Sequence, residues 1–202
     1  CARVTGVQTC ALPISIDEGF SSRNAKAITL QRTIISEALN CANHPNYGTG
    51  TQHGYAATIG SGQMGGLPGS FHHNLLAHNE GRNWSISGGL DGTGNYDGHH
   101  DVFNNVVYNW GSRATDGGSH EINFVNNYYK MGPATTMRKL FRHQFEGTGS
   151  GTQAAYVKGN IREEPSGSKV NDKEGDTYIY ELSNGQVLNW EPWATKPFFE
   201  SY

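Results

Sequence analysis

Arg82 is the residue whose type and surroundings most directly suggest chemistry. It is enclosed by glycine and asparagine, eight residues after Asn74, which opens a short apolar step. A strand followed by a loop suits an active site, because binding and catalytic groups are often carried on loops held by a rigid scaffold. Arg113 follows Asn105 by the same eight residues. The equivalent offsets predict two guanidinium groups on one side of a repeated structure. Such a pair of cations suits the binding of an anionic polymer. The alternative for Arg82 is an ordinary surface arginine.

The acidic residues offer two weaker signals. Asp17 and Glu18 are adjacent in a polar turn, where carboxylates can ligate a metal but are most often simply solvated. Asp91 and Asp97 lie in a glycine-rich segment that suggests a calcium loop, but the EF-hand spacing fails because Val102 stands where the bidentate acid should be. This pair stays open as the two carboxylates of a glycosidase.

The nine histidines suggest a zinc site. His72-His73 and His99-His100 are adjacent pairs, and neighbours in a strand point to opposite faces, so we expect neither pair to chelate one ion. His53 is better placed, because its loop precedes the segment that carries Arg82. The alternative is a structural histidine with its hydrogen bonds satisfied.

A recurring unit must position these residues: a short strand, an asparagine and a second apolar pair. It is centred on Asn74, Asn105, Asn127 and Asn160, with Thr33 in a degenerate first copy, at spacings of 41, 31, 22 and 33 residues. A unit near 22 residues with loops inserted on one side is typical of a solenoid, in which each unit buries its apolar face against the next. Stacked asparagine amides at the bends can hydrogen-bond along the stack and tolerate left-handed backbone. We therefore predict an all-β parallel β-helix, with an antiparallel sandwich as the alternative.

Bulk composition limits the function classes. The chain has 202 residues, 27 of them glycine, and 16% charged residues, which fits one turn-rich β domain rather than a disordered or collagen-like chain. A net charge of −3 gives no general attraction to nucleic acid, which usually needs a strongly basic face. No apolar run approaches the roughly 20 residues of a membrane span. We expect a monomer with neither nucleic acid nor a membrane as its partner.

The chain divides into three segments. Residues 1–14 include Val-Thr-Gly-Val-Gln-Thr-Cys-Ala-Leu-Pro-Ile, which resembles the translation of a common sequencing-library adapter. We expect this segment to be non-native, with a genuine N-terminal segment as the alternative. We assign residues 15–162 to the β-helix. Residues 163–202 are expected to form a loop, a small hairpin of 177–182 with 186–188 around an Asn-Gly turn, and an aromatic tail packed on the β-helix.

Several motifs occur in a fixed order over residues 15–129. They are Asp17-Glu18, Ile35-Ser36-Glu37-Ala38-Leu39-Asn40, His53-Gly54-Tyr55, Phe71-His72-His73-Asn74-Leu75-Leu76-Ala77-His78, Gly81-Arg82-Asn83 and Asn104-Asn105-Val106-Val107-Tyr108-Asn109-Trp110. In this order the chain resembles the pectate lyases of polysaccharide lyase family one. Several motifs in register over more than a hundred residues are far more specific than any single one.

The resemblance implies a right-handed parallel β-helix, here truncated, that cleaves polygalacturonate or pectin by calcium-assisted β-elimination. It implies that Arg82 is the base toward the C5 proton and that Asp17 ligates calcium. His53 falls near the family's basic residue that helps hold the substrate, and Arg113 is a substrate contact by position only. A secreted, periplasmic or cell-surface protein of pectin degradation is the expected setting.

The sequence departs from the family pattern in two places. Many relatives carry a second arginine a few residues after the catalytic one, whereas residues 83–87 contain none. The family's other calcium carboxylates precede the position of Asp17, where this chain has only the adapter-like segment. One carboxylate is a poor site for an ion that takes about six to eight oxygen ligands, so we expect weak calcium binding and little activity from the chain as given.

Three alternatives to a pectate lyase stay open. The first is a non-catalytic β-helical module that grips acidic polysaccharide with Arg82 and Arg113. The second is a β-helical glycosidase that uses a carboxylate pair such as Asp91 and Asp97. The third is a pectin lyase, which would prefer methyl-esterified substrate.

Overall fold

Short β-strands make up all the regular structure of the described chain. The computed structural model describes residues 17–62, 67–145, 149–171, 180–182 and 188–200, so the adapter-like segment lies outside the described residues. In chain order the strands are β1 (Glu18–Ser21), β2 (Ala25–Lys26), β3 (Thr29–Gln31), β4 (Ile34–Ser36), β5 (Tyr55–Ile59), β6 (Ser61–Gly62), β7 (Gly69–His72), β8 (Leu75–Ala77), β9 (Ser85–Ser87), β10 (His99–Phe103), β11 (Val106–Tyr108), β12 (Thr115–Gly118), β13 (Glu121–Val125), β14 (Tyr128–Lys130), β15 (Phe141–His143), β16 (Ala154–Lys158), β17 (Ile161–Glu163), β18 (Lys169–Asn171) and β19 (Tyr180–Leu182).

The strands stack into three main sheets. Sheet I has the order β1-β5-β9-β12-β15-β19, sheet II has β3-β7-β10-β13-β16, and sheet III has β4-β8-β11-β14-β17 with β18 at its edge; β2 and β6 form a small separate pair. Successive strands within the three sheets pair in parallel, except for the antiparallel pair of β17 and β18. The chain visits sheets I, II and III in turn, so each coil adds one strand to each sheet. The protein is a parallel β-helix, and the antiparallel sandwich is excluded.

Apolar side chains from the three sheets fill the space inside the coils. On sheet II, Phe71 pairs in register with Val102, which pairs with Phe124 in the next coil. All three side chains are fully buried, as are Trp84 and Trp110. Burying one such side chain contributes about 1.5–3 kcal/mol relative to leaving it exposed. Stacked apolar rows therefore hold each coil on the next, as expected for a solenoid.

The predicted asparagine stack is confirmed at the bend between sheets II and III. From Asn74 to Asn105, Asn127 and Asn160, each Nδ2 donates to the Oδ1 of the next asparagine at 3.0 Å. The same Oδ1 atoms also accept a backbone N–H from the preceding coil. Thr33 occupies the first rung and donates its backbone N–H to Asn74 Oδ1 at 3.0 Å. The ladder therefore ties five successive coils together at one corner.

Left-handed backbone occurs at these bends, but one residue earlier than expected. Arg32, His73, Asn104 and Asn126 have φ values of 53, 55, 53 and 53°, and each directly precedes a rung. The rung residue must point its side chain into the stack, so its neighbour makes the turn. The first of these bends separates β3 from β4.

The C-terminal region adds to the β-helix. The aromatic tail contacts it, since Trp193 forms a bridge with Ala155 and Phe198 packs against a small cluster that includes Phe103. Most of the predicted hairpin lies outside the described residues. The part that is described, β19, pairs in parallel with β15 and extends sheet I.

Candidate active site

The residues predicted to carry chemistry meet where the chain enters sheet I. Asp17 directly precedes β1, His53 lies two residues before β5, and Arg82 and Arg113 precede β9 and β12. Because β1, β5, β9 and β12 are successive neighbours in sheet I, these four side chains come from four stacked coils. We call Asp17, His53, Arg82 and Arg113 the entry cluster.

Arg82 is held between two carboxylates at this entrance. Its backbone is left-handed, with a φ of 50°, and its Nη1 donates to Asp17 Oδ1 at 3.2 Å and to Glu18 Oε1. Glu18 Oε1 also accepts the hydroxyl of Thr58. The Nε of Arg82 is buried and has no hydrogen-bond partner among the described residues. The Nη1 of the guanidinium is thus paired, while its Nε is buried and has no hydrogen bond among the described residues to offset the loss of water.

Tyr55 joins the two arginines of the entry cluster. The Cζ atoms of Arg82 and Arg113 lie 4.5 and 5.2 Å from the centroid of its ring. Arg113 also donates from Nε to Asp116 Oδ2 at 2.6 Å. Gly81 makes room for this arrangement, because a Cβ there would lie 3.0 Å from Arg113 Cβ and 3.1 Å from Tyr55 Cε1. The ring is a platform for two neighbouring cations.

The two guanidinium groups differ in how easily they lose a proton. Burial lowers the pKa of Arg82, and the charge of Arg113 lowers it further, while Asp17 acts in the opposite direction without reversing the shift. For Arg113, burial is the largest single effect and lowers the pKa. The hydrogen bond and charge of Asp116, together with the contact to Tyr55, outweigh it and leave the pKa raised. Arg82 is therefore the better candidate for a base, and Arg113 for a permanent cation.

His53 faces the carboxylate of Asp17, and a second histidine joins it. His53 Nε2 lies 3.0 Å from Asp17 Oδ1, and His44 Nε2 lies 3.6 Å from Asp17 Oδ2. His53 is 6% exposed, and its ring centroid lies 4.1 Å from that of Tyr55. His53 therefore connects the Asp17 side of the cluster to the tyrosine platform.

Sequence reasoning missed His44 and Tyr55 as members of the site. His44 lies in the His- and Asn-rich loop before β5, and Tyr55 follows His53 at the second position, in a His-Gly-Tyr motif. The motif was visible in the sequence, but nothing in it indicated that the tyrosine ring would contact two arginines from later coils.

The other predicted carboxylates lie in different surroundings. Asp91 closes its own turn, since its Oδ1 accepts hydrogen bonds from the backbone N–H groups of Thr93 and Asn95. These bonds lower the pKa of Asp91 to about 2, and the bond from Asn95 has the largest effect. Asp97 Oδ1 lies 3.6 Å from His99 Nε2. Asp91 is thus a fully ionised structural carboxylate of an exposed loop.

The paired histidines follow the prediction in one case and not in the other. His99 contacts Glu121, whereas the buried His100 contacts Ser119, as expected for neighbours on opposite faces. The premise of opposite faces was wrong for His72 and His73, whose Nδ1 atoms lie 2.8 Å apart. The reason is that β7 ends at His72 and His73 has a φ of 55°, so strand alternation does not apply.

The donors around Asp17 do not fit calcium. Its carboxylate faces the two imidazole nitrogens of His44 and His53, and the neighbouring carboxylate of Glu18 is held by Arg82 and Thr58. Calcium takes about six to eight oxygen ligands and does not favour imidazole. Within the described ranges, this set supplies too few free oxygens for a calcium shell.

Comparison with known proteins points to pectate lyases. No family model matches the chain. It is 33% identical over 132 residues to a protein named "Probable pectate lyase C" from Aspergillus terreus, which covers 62% of this chain and 26% of that protein. The chain thus spans about a quarter of the length of this relative. Within the described part of the chain, no helix is long and apolar enough to cross a membrane. The fold and this similarity together support a pectate-lyase-like relationship.

Proposed function

We propose that this protein acts on polygalacturonate as a pectate lyase, with Arg82 as the base of a β-elimination. The observation that carries the proposal is the pair of guanidinium groups on Tyr55, of which Arg82 has a lowered pKa and Arg113 a raised one. An anionic polymer needs cations for binding, and proton abstraction beside a carboxylate needs both a base and a stabilising charge. The similarity to a pectate lyase supports the same reaction class.

The chemical step assigns a separate task to each arginine. Neutral Arg82 removes the C5 proton of a galacturonate unit, and the electron pair left on C5 forms the C4–C5 double bond as the C4–O bond breaks. The departing oxygen takes up a proton from water and becomes the new end of the released chain, and the protonated Arg82 returns its proton to solvent. Arg113 stays charged and stabilises the carboxylate next to C5, where negative charge develops. Because only the neutral form of Arg82 is active, the rate rises toward alkaline pH.

Asp17 and Glu18 oppose this step in the substrate-free protein. Both carboxylates accept a hydrogen bond from Arg82, and such pairing favours the charged guanidinium. Substrate binding must therefore loosen these contacts before Arg82 acts as a base. We assign to His53 the positioning of Asp17, since its Nε2 contacts the Oδ1 that Arg82 also contacts.

Calcium takes no part in this step. Asp17 is the calcium ligand that the family resemblance implies, but the surrounding donors do not fit the ion. The elimination step therefore relies on the two arginines alone.

We also propose that the protein acts outside the cytoplasm as a secreted, periplasmic or cell-surface monomer, because its polymeric substrate does not cross membranes.

The deciding experiment incubates the protein with polygalacturonate, with and without Ca²⁺, and follows the ultraviolet absorbance of the unsaturated product. We expect a slow rise that is lost in Arg82→Ala, whereas Arg138→Ala, which removes an exposed arginine paired with Glu164, keeps it. New reducing ends without absorbance would instead indicate a glycosidase, and binding without either product a non-catalytic module. Activity restricted to methyl-esterified pectin would indicate a pectin lyase. Each of these three outcomes contradicts the proposal.

A further inference from the structure

The loop before β5 brings two imidazoles onto one carboxylate. Asp17, His44 and His53 each offer one ligand atom within 4.8 Å of the other two. We propose that these three residues form a site for a single transition-metal ion of the zinc(II) class. The proposal goes beyond the lyase activity and does not rest on it.

The donor set favours such an ion over calcium. Two imidazole nitrogens and one carboxylate oxygen are typical ligands of zinc and of neighbouring divalent transition metals, whereas calcium selects oxygen. Zinc–nitrogen bonds of about 2.0–2.1 Å place tetrahedral ligands roughly 3.4 Å apart. The observed separations are 3.0 Å from Asp17 Oδ1 to His53 Nε2 and 3.6 Å from Asp17 Oδ2 to His44 Nε2, and the three ligand atoms lie within 4.8 Å of one another. The ligands therefore need only small shifts to close on one ion.

Ring contacts hold both imidazoles in place. The His53 ring lies 4.1 Å from the ring of Tyr55 and 4.4 Å from that of Tyr47, and the His44 ring packs against His53 at 4.8 Å. His53 and His44 have side chains that are 7% and 10% exposed, whereas that of Asp17 is 37% exposed. The nitrogens are thus preorganised, and the carboxylate side offers a path from solvent.

The loop that carries the two histidines is closed at its end. The Gly54 N–H donates to Asn40 Oδ1 at 3.1 Å. A Cβ at Gly54 would lie 2.5 Å from the carbonyl oxygen of Ala38, so a larger residue could not bring the chain this close. This closure fixes His53 directly beside the strand that carries Tyr55.

Metal binding requires the ring proton of each histidine to lie on Nδ1, and His53 Nε2, which faces Asp17 Oδ1 at 3.0 Å, must exchange that contact for the ion. His44 Nδ1 accepts the N–H of Asn46 at 3.1 Å, which must turn to solvent so that the ring proton can move to Nδ1; Asn46 is exposed. Arg82 contacts Oδ1 of Asp17, whereas His44 faces Oδ2. One carboxylate can therefore bind the ion through Oδ2 and keep its contact with Arg82 through Oδ1.

Cobalt(II) is the probe for this site, because its visible absorption reports nitrogen and oxygen ligation where zinc is silent. The full chain is used with Cys1, Cys10 and Cys41 replaced by serine, which removes thiolate ligands. We expect one equivalent of Co²⁺ to produce visible bands that Zn²⁺ removes and an excess of Ca²⁺ does not. His44→Ala and Asp17→Asn should each weaken binding by at least about tenfold, while His78→Ala, at an exposed histidine of the next coil, leaves it unchanged.

Several results would overturn the proposal. These are the lack of a stoichiometric Co²⁺ spectrum, an unchanged affinity in His44→Ala, or a loss of the spectrum in His73→Ala, which would place the ion at the His72–His73 pair instead. Circular dichroism checks that each variant keeps its strands, and His44→Gln replaces any alanine variant that does not. Binding is measured without polysaccharide, so failure of the lyase proposal leaves this test intact.

Discussion

Arg82 and Arg113 place their guanidinium groups against one ring, that of Tyr55, with Cζ-to-centroid distances of 4.5 and 5.2 Å. The charge of Arg113 lowers the pKa of Arg82, so the two cations are close enough to destabilise each other. The negative face of the tyrosine ring offsets part of this repulsion, and Asp17 and Asp116 each pair with one arginine. The protein thus maintains a cation pair before any substrate arrives.

Removing the tyrosine ring is expected to weaken the proposed lyase activity. Arg113 must stay charged and in place to stabilise the developing negative charge, and its contact with the ring is 5.2 Å to the centroid. A cation–π contact contributes about 0.5–2 kcal/mol, so Tyr55→Leu should lower kcat/KM on polygalacturonate by about 2- to 30-fold. Tyr55→Phe keeps the ring and should lose less. Initial rates of ultraviolet absorbance measure both effects.

A tyrosine of sheet III supplies the control for this experiment. Tyr108→Leu makes the same chemical change in β11 and should leave kcat/KM within about twofold of the parent protein, the scatter expected for a substitution away from the site. Equal losses in Tyr55→Phe and Tyr55→Leu would assign the effect to the hydroxyl group and contradict the role given to the ring.

The asparagine ladder is expected to be a major source of stability. Asn105 Nδ2 donates to Phe71 O and Asn127 Oδ1, and its Oδ1 accepts from Asn74. Asn105→Ala takes a hydrogen bond from Phe71 O and from the backbone N–H of Asn74, whereas Asn127 Oδ1 keeps the backbone N–H of residue 105. At about 1–3 kcal/mol for each of the two buried groups, the free energy of unfolding should fall by at least about 2 kcal/mol. Urea unfolding measures it. Asn46→Ala, at an exposed position, should stay within about 0.5 kcal/mol, and a loss below about 1 kcal/mol in Asn105→Ala would refute the ladder's role.

The ladder could be predicted from sequence because each rung is a local pattern. A strand, an asparagine and a second apolar pair recur within a few residues, and stacking equivalent bends is then the simplest arrangement. Even Thr33, which lacks the amide, occupies the expected rung. The position of the left-handed residue was missed by one, because spacing alone does not show which residue makes the turn and which points inward.

The site could be predicted only in part, because its contacts are long-range. Arg82 and Asp17 are 65 residues apart and meet through the stacking of coils, which the repeat made it possible to anticipate. His44 belongs to the inserted loop before β5, whose path depends on the closure at Gly54 and on ring packing around His53. No periodicity describes such a loop, so its contribution was not visible in the sequence.

Calcium is expected to bind this chain weakly. Asp17 faces two imidazoles, and Glu18 is engaged by Arg82 and Thr58, so few oxygens are free for an ion that takes about six to eight. Isothermal titration calorimetry should give a dissociation constant weaker than about 10⁻³ M, the weak end of protein calcium sites. Tight binding that is lost in Asp17→Asn would show that the imidazoles move aside and that Asp17 serves calcium after all.

His143 is expected to make the protein less stable in acid. Its ring is fully buried among Phe141, Phe145 and Trp193, and neither ring nitrogen has a hydrogen-bond partner among the described residues. Burial lowers the pKa of His143 to about 3, whereas an unfolded histidine titrates near 6.5. Between these two values the unfolded chain binds the extra proton, so the free energy of unfolding falls as the pH drops through this window.

The loss attributable to His143 is about 2 kcal/mol between pH 7 and pH 5, from about 1.4 kcal/mol for each pH unit between the unfolded pKa near 6.5 and pH 5. His143→Leu removes the titrating group and should reduce the pH dependence of urea unfolding by that amount. Part of the dependence should persist, because burial, aided by the charge of His99, also lowers the pKa of His100 to about 3. His78→Leu, at an exposed histidine, is the matched control. If His143→Leu and the parent protein lose the same stability between pH 7 and pH 5, the buried imidazole is not the source, because the variant has no group at position 143 to protonate.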